Sequence, residues 1–332
     1  MRHLLPALLA GFVALGAGSA RAGEWRAEIV DTPARVTAIE MVDGRPRVVA
    51  GGLWYDIDMS GAKPRLVFRD ERRRASPPEN ALPGSTVVTG TRDIARAWFA
   101  APTKRYGHAV LGDDIEAGSL VIETPDGASH TVALGDDAVF EDLTPRLADL
   151  DGDGHDEIVV VKSYLKRGAA IAVIAQRNGR YRVVAETTPL GAPNRWQNPA
   201  GIADFTGDGK IDIALVRQPH AVGALELWTY DKGRLRQTAS LNGFSNHVIG
   251  SPALGMSAVA DVDGDGTPDL ALPSFDLTRL RIMSFRPAPR EIARIALPSN
   301  AAGNIGIIAR NGAPPALAVA LADGTLVVVR ND

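Results

Sequence analysis

Three stretches of the 332-residue chain carry oxygen-bearing or carbonyl-donating residues at every second position. The first runs Asp149, Asp151, Asp153, His155, Glu157. The second runs Asp204, Thr206, Asp208, Lys210, Asp212. The third runs Asp261, Asp263, Asp265, Thr267, Asp269. A glycine stands at the fourth and sixth place of each stretch. A short loop needs this pattern to wrap a hard cation such as calcium, which takes about six to eight oxygen ligands. Side chains one, three, five and nine would face the ion. The carbonyl at place seven, on His155, Lys210 or Thr267, would add another oxygen. Glycine permits the positive φ that the tight bend requires. Carboxylates crowded in sets of three or four repel one another and raise one another's pKa unless a cation compensates. Up to three Ca2+ are expected. The second stretch, with Thr206 and Lys210, is expected to bind more weakly.

An EF-hand would need a bidentate Glu at place twelve and flanking helices. Place twelve is Val160, Leu215 and Leu272, and none of these can ligate a cation. Each stretch instead runs into an apolar, β-rich segment, such as Ile158 to Val161.

The elements that would hold these loops recur with them. The first Asp residues are 55 and 57 residues apart, which marks a structural repeat. After each loop come two short strand-like runs joined by a turn: Ala170 to Ala175 and Tyr181 to Ala185 around Asn178-Gly179; Ala224 to Thr229 and Leu235 to Leu241 around Lys232-Gly233; Leu280 to Ser284 and Glu291 to Ile295. With one strand before and one after the loop, each repeat holds four antiparallel strands, the content of a β-propeller blade. The repeats lie near 140–187, 198–241 and 253–297.

The flanks read the same way. Val36 to Val42, Arg47 to Ala50, Leu53 to Asp58 and Arg65 to Arg69 would form one blade. Ala95 to Ala100, His108 to Gly112, Ser119 to Thr124 and His130 to Gly135 would form another. The C-terminal part offers three strands, Ile305 to Ala309, Ala316 to Leu321 and Leu326 to Arg330, and the segment Trp25 to Val30 could supply the fourth. The expected fold is therefore all-β: a single propeller over residues 23–332, six-bladed with seven as the alternative, closed by pairing of its terminal strands. Closure would remove a free sheet edge. Asp70 to Thr91 reads as a long surface loop.

The acidic loops and their strands resemble the FG-GAP/VCBS repeats of integrin α-subunit propellers and of many exported bacterial proteins. The resemblance covers roughly residues 140 to 297. It implies one calcium per loop, held between the first two strands of a blade, and it says little about partner or activity.

Residues 1–22 have the form of a secretory signal peptide. A short basic start (Arg2, His3) precedes an apolar run from Leu4 to Gly18 and an Ala20-Arg21-Ala22 cleavage signal. A periplasmic or secreted location follows, with no membrane span once the signal is removed. The chain has no cysteine, so disulfides, thiolate metal sites and Cys nucleophiles are excluded. Net charge is −3, and about −5 without Arg2 and Arg21; apart from Arg72 to Arg74 there is no basic run, which argues against nucleic acid.

Polar loops entering the repeats contain Arg195, Trp196, Asn198, Asn246 and His247. Convergence at one mouth would suit a protein or carbohydrate ligand. The competing reading is that Trp196 and Phe244 fill gaps between blades while asparagines cap turns. His108 and His247 could act as bases, but no Ser-centred elbow, HExxH motif, P-loop or dinucleotide fingerprint accompanies them. Asp113, Asp114 and Glu116, with Asp136-Asp137 and Glu141-Asp142, read as solvated acidic loops. The expected function is a monomeric binding, adhesion or interaction module with structural calcium. The alternative is a calcium-assisted hydrolase or lyase acting on a sugar or anionic substrate.

Overall fold

A computed structural model describes residues 25–70 and 77–331. The signal-peptide reading of residues 1–22 and the basic run Arg72 to Arg74 lie outside the described residues. Every regular element among the described residues is a β-strand.

In chain order the strands are β1 (Trp25–Val30), β2 (Val36–Val42), β3 (Arg45–Ala50), β4 (Leu53–Asp58) and β5 (Arg65–Arg69). Next come β6 (Val88–Thr89), β7 (Arg96–Thr103), β8 (Glu116–Glu123), β9 (Ser129–Ala133), β10 (Ala138–Phe140), β11 (Arg146–Ala148), β12 (Glu157–Tyr164), β13 (Gly168–Arg177) and β14 (Arg180–Glu186). Then follow β15 (Gln197–Ala203), β16 (Asp212–Arg217), β17 (Ala224–Asp231), β18 (Arg234–Asn242), β19 (Ala258–Ala260), β20 (Asp269–Pro273), β21 (Arg279–Ser284) and β22 (Arg290–Ala296). The chain ends with β23 (Ala301–Arg310), β24 (Ala313–Leu321) and β25 (Leu326–Asn331).

Four sheets have four strands each, in the orders β2-β3-β4-β5, β15-β16-β17-β18, β19-β20-β21-β22 and β1-β25-β24-β23. A fifth, of nine strands, joins β6 to β9 with β10 to β14. The first and last strands pair antiparallel, from Trp25↔Asn331 to Val30↔Leu326.

Local sequence explains the hairpins. Asn178-Gly179 and Lys232-Gly233 both place two successive residues at positive φ, 55° and 74° in the first and 50° and 75° in the second. That backbone twists with the strands it joins, and Asn-Gly adopts it at little cost. Central strands such as β12 and β13 are buried on both faces and read as unbroken apolar runs (Ile158 to Val161, Ala169 to Ala175). Outer strands such as β18 alternate half-buried and exposed residues.

The sheets pack face to face through their apolar residues. Ile39 and Val48 of the first sheet meet Ala316, Ala318 and Val328 of the terminal sheet. Met256 and Ile282 meet Ile305 and Leu317, while Leu225 and Leu227 meet Leu270 and Leu272. Glycine permits the close approach of inner strands: a Cβ on Gly201 would lie 2.3 Å from Val259 Cγ2.

Two elements differ from the sequence expectation. His108 to Gly112 is not a strand. Ala109 and Gly112 take positive φ (53° and 111°), and the segment instead buries Val110 and Leu111. The strand that completes that group is β6, inside the stretch read as a surface loop. Upstream of β6, Leu82 is buried and its N–H donates to Phe99 O at 2.8 Å, so part of this stretch is core.

Candidate metal loops and buried polar centre

Each acidic loop joins the first two strands of a four-strand repeat: β11 to β12, β15 to β16 and β19 to β20. An apolar residue at place two anchors it, since Leu150, Phe205 and Val262 are all buried. The place-one carboxylate then organises the turn. Asp149 accepts from Gly152 N (2.8 Å) and Gly154 N (3.1 Å), Asp204 from Gly207 N (2.7 Å) and Gly209 N (2.8 Å), and Asp261 from Gly264 N (2.7 Å) and Gly266 N (3.0 Å). All six glycines have positive φ. Place five closes the turn onto place seven: Asp153 accepts from His155 N, Asp208 from Lys210 N and Asp265 from Thr267 N.

The result is a carboxylate cup. One oxygen each from Asp149, Asp151 and Asp153, and likewise from Asp261, Asp263 and Asp265, lie within 4.8 Å of one another. At place nine, Glu157, Asp212 and Asp269 are buried at the base. Glu157 accepts from Leu150 N (2.9 Å) and Asp269 from Val262 N (3.1 Å), and Asp212 accepts from the Thr229 hydroxyl. The second oxygen of Asp212 and that of Asp269 are buried without a hydrogen-bond partner among the described residues. Burial pushes the Glu157 and Asp269 carboxyls up to about 7, and the neighbouring loop aspartates add to it. Asp212 is pushed up as well, chiefly by burial.

These donors fit a hard cation. They are all oxygen, they converge, and orphaned carboxylate oxygens stand at the base of two loops. The second loop is poorer, because Thr206 replaces a carboxylate and the Arg286 side chain packs over Gly207. Arginines approach the rims of the other two, with Arg177 3.5 Å from Asp151 and Arg290 3.5 Å from Asp263. The His155 side chain turns outward, 3.4 Å from Asp93, so only its carbonyl is available to the loop. Arg92 donates to Asp156 at 2.7 Å and lies 3.9 Å from Asp149. Nothing in the spacing of Arg92-Asp93, more than fifty residues upstream, signals that it docks on the first loop.

Successive strands run antiparallel, so the loops at the other ends of these strands gather at the opposite end of the sheets. There Gly250 N donates to Val110 O and Asn194 N to the Tyr106 hydroxyl, both at 2.8 Å. Trp196, Asn198, Asn246 and His247 come together but are buried. Arg195 is exposed, and its guanidinium donates to Leu190 O. The indole of Trp196 lies 4.7 Å from the His247 ring and stacks on His220 at 6.2 Å. His247 Nε2 donates to Ser251 O (2.8 Å), which leaves Nδ1 to accept from His220 Nε2 (3.0 Å).

The pairs read as solvated acid loops are in part buried. Glu116, Glu141 and Asp142 are inaccessible, whereas Asp113, Asp114 and Asp136 are exposed. Glu141 receives His108 Nδ1 at 2.5 Å, and the Ser163 hydroxyl donates to its other oxygen. Asp142 accepts from Val161 N (2.9 Å) and Arg146 (2.8 Å). Burial, with Glu141 beside it, pushes the Glu116 carboxyl up to about 9.

A family model described as an FG-GAP-like repeat matches residues 149–215 and 204–272. No curated protein matches the chain. Among solved structures, the crystal structures of BBS1N in complex with ARL6DN, soaked with lead or with mercury, are similar over 94% of this chain and 98% of theirs. Identity is 13% and 12%, and the TM-scores are 0.51 and 0.50. The Bacillus licheniformis Rhamnogalacturonan Lyase PL11 is similar over 84% of this chain and 55% of its own, at 14% identity and a TM-score of 0.45. At these identities the BBS1N likeness concerns the all-β, propeller-like fold alone. Residues 149–272, somewhat over a third of the chain, carry FG-GAP-like repeats.

Proposed function

We propose that this protein is an exported, calcium-binding β-propeller of six four-stranded blades that serves as an interaction module. The carrying observation is the pair of carboxylate cups, each with three converging aspartates and a buried acid at its base. Bare, such a cup is costly, because like charges crowd and a carboxylate oxygen of Asp269 stays unpartnered. With calcium, Asp149, Asp151, Asp153, Glu157 and the His155 carbonyl would hold one ion. Asp261, Asp263, Asp265, Asp269 and the Thr267 carbonyl would hold a second. Asp204, Thr206, Asp208, Asp212 and the Lys210 carbonyl would hold a third more weakly. The ion's role is structural: it ties two strands of one blade and leaves no reacting group in the loop.

The strand orders support a reading of six blades. β2–β5, β6–β9, β10–β14, β15–β18 and β19–β22 supply five, with β10 and β11 as two halves of one inner strand. β23–β25 with β1 would supply the sixth, and their terminal pairing would then close the ring. A rigid disc with long loops gathered at one end suits recognition of a protein or carbohydrate. The test is thermal unfolding of the purified protein in EDTA and in about 1 mM Ca2+, a level within the range of extracellular calcium modules. A midpoint that rises with calcium supports the reading. An unchanged midpoint with no metal retained on elemental analysis overturns it.

A further inference from the structure

Glu116 opens β8 and Glu141 directly follows β10. Ala117 and Phe140 are paired across these antiparallel strands, so one step further the register sets Glu116 opposite Glu141. Like charges placed opposite each other destabilise a sheet even at its surface. Here both side chains are buried, Glu116 at 1% exposure and Glu141 at 0%.

Their partners are unequal. Glu141 is held by His108 and Ser163. Neither carboxylate oxygen of Glu116 has a hydrogen-bond partner among the described residues. Among the described residues no side-chain cation pairs with it. Arg105 donates to Ala138 O, Arg146 is engaged by Asp142 and Thr144 O, and Lys104 lies by exposed Asp114. The remaining charged groups that act on Glu116, namely Asp113 and Asp142, are also acids. A buried polar atom without a partner asks for an ion or ordered water, and the charged groups that act most strongly on Glu116 are acids.

We propose that Glu116 and Glu141 form a binding site for one hard divalent cation, separate from the three acidic loops. The donors are carboxylate oxygens, which suit calcium or magnesium and do not favour a thiophilic metal. Glu141 can serve while still accepting from His108 and Ser163, because each carboxylate oxygen carries two lone pairs. Exposed Asp113 also acts on Glu116 and extends the negative charge toward solvent. The site stands whether or not the loops are filled, and it would tie β8 to the segment between β10 and β11.

The experiment counts bound ions. The purified protein is stripped with EDTA, dialysed against about 1 mM Ca2+ and analysed for metal per chain. Glu116→Gln removes the charge and keeps the shape. It is expected to hold one Ca2+ fewer than the unaltered chain, with a smaller calcium-dependent rise in unfolding midpoint. Glu116→Asp keeps the charge and is expected to keep the count with weaker affinity, which covers the case of a Gln variant that does not fold. Asp151→Ala and Asp263→Ala report the loops independently. If the loops are empty, the unaltered chain still holds one ion that Glu116→Gln loses. An equal count in Glu116→Gln, together with a higher midpoint in both EDTA and calcium, would mean that Glu116 is a buried neutral acid and would overturn the site.

Discussion

Asn198 and Asn246 hold each other's backbone. The Asn198 amide donates to Asn246 O at 3.1 Å, and the Asn246 amide donates to Asn198 O at 3.2 Å. Each makes a second bond as well, Asn198 to Leu254 O and Asn246 to Pro199 O. Both residues are fully buried, so the carbonyls they serve have no water to fall back on. These four bonds join β15 to the loop that leads into β19. Either Asn→Ala change should cost about 2–4 kcal/mol, since it strands two buried carbonyls. The double variant removes all four bonds, and any departure of its cost from the sum of the single costs measures the coupling between the two amides. Thermal unfolding of the three variants measures both quantities.

His247 should make stability fall in mild acid. Burial lowers its pKa from the ordinary value near 6.5 to about 4. The unfolded chain therefore binds the proton more readily than the folded chain between those limits. The contribution is fully present above pH 6.5 and is lost as pH falls through about 4. Its size is on the order of 3 kcal/mol. His247→Gln cannot take up the proton, so stability measured from pH 7 to pH 4 should decline less steeply in the variant. An equal slope would show that His247 does not titrate with unfolding.

The parts legible in the sequence were those fixed by local chemistry. Alternating aspartates with glycines at places four and six dictate the loop by themselves, and the loops form with Asp149, Asp204 and Asp261 at their centres. The Asn178-Gly179 and Lys232-Gly233 turns are likewise where their φ preference puts them. Glu116, Glu141 and Asp142 were misread because charge in a short loop ordinarily means exposure. Their burial comes from strands far apart in sequence: β8 and β12 close over the break between β10 and β11. His108 to Gly112 has the composition of a strand, but its turn conformation and the contact of Val110 with Gly250 are long-range. The docking of Arg92 on Asp156 is non-local in the same way.

The contact between the terminal sheet and the first sheet can be tested at a single atom. A methyl on Gly306 would lie 2.5 Å from Pro46 Cβ and 3.0 Å from Ile39 Cγ2. Pro46 is rigid and cannot swing aside, so Gly306→Ala must shift β23 relative to β2 and β3. The expected loss is about 1–3 kcal/mol. Gly107→Ala is the control, since an added methyl there meets nothing within 4 Å, and it should change stability by no more than about 0.5 kcal/mol. Equal effects at the two positions would mean that the two sheets are not in contact in solution.

The three loops should respond unequally to calcium. Asp151 and Asp263 complete their carboxylate trios, whereas the second loop has Thr206 at the corresponding place. For a site with a dissociation constant near 10⁻⁴ M, about 1 mM Ca2+ adds about 1.4 kcal/mol of stability. Asp151→Ala or Asp263→Ala should each remove about that share of the calcium-dependent gain, and the two should add because the sites are separate. Asp208→Ala should remove less. Thr206→Asp supplies the missing carboxylate and should enlarge the gain, while in EDTA the added charge should lower the midpoint by repulsion with Asp204 and Asp208. Opposite signs with and without calcium in one variant are the expected signature of a loop shaped for a cation. A fall under both conditions would show that the second loop is a turn that cannot be converted into a calcium site by that change.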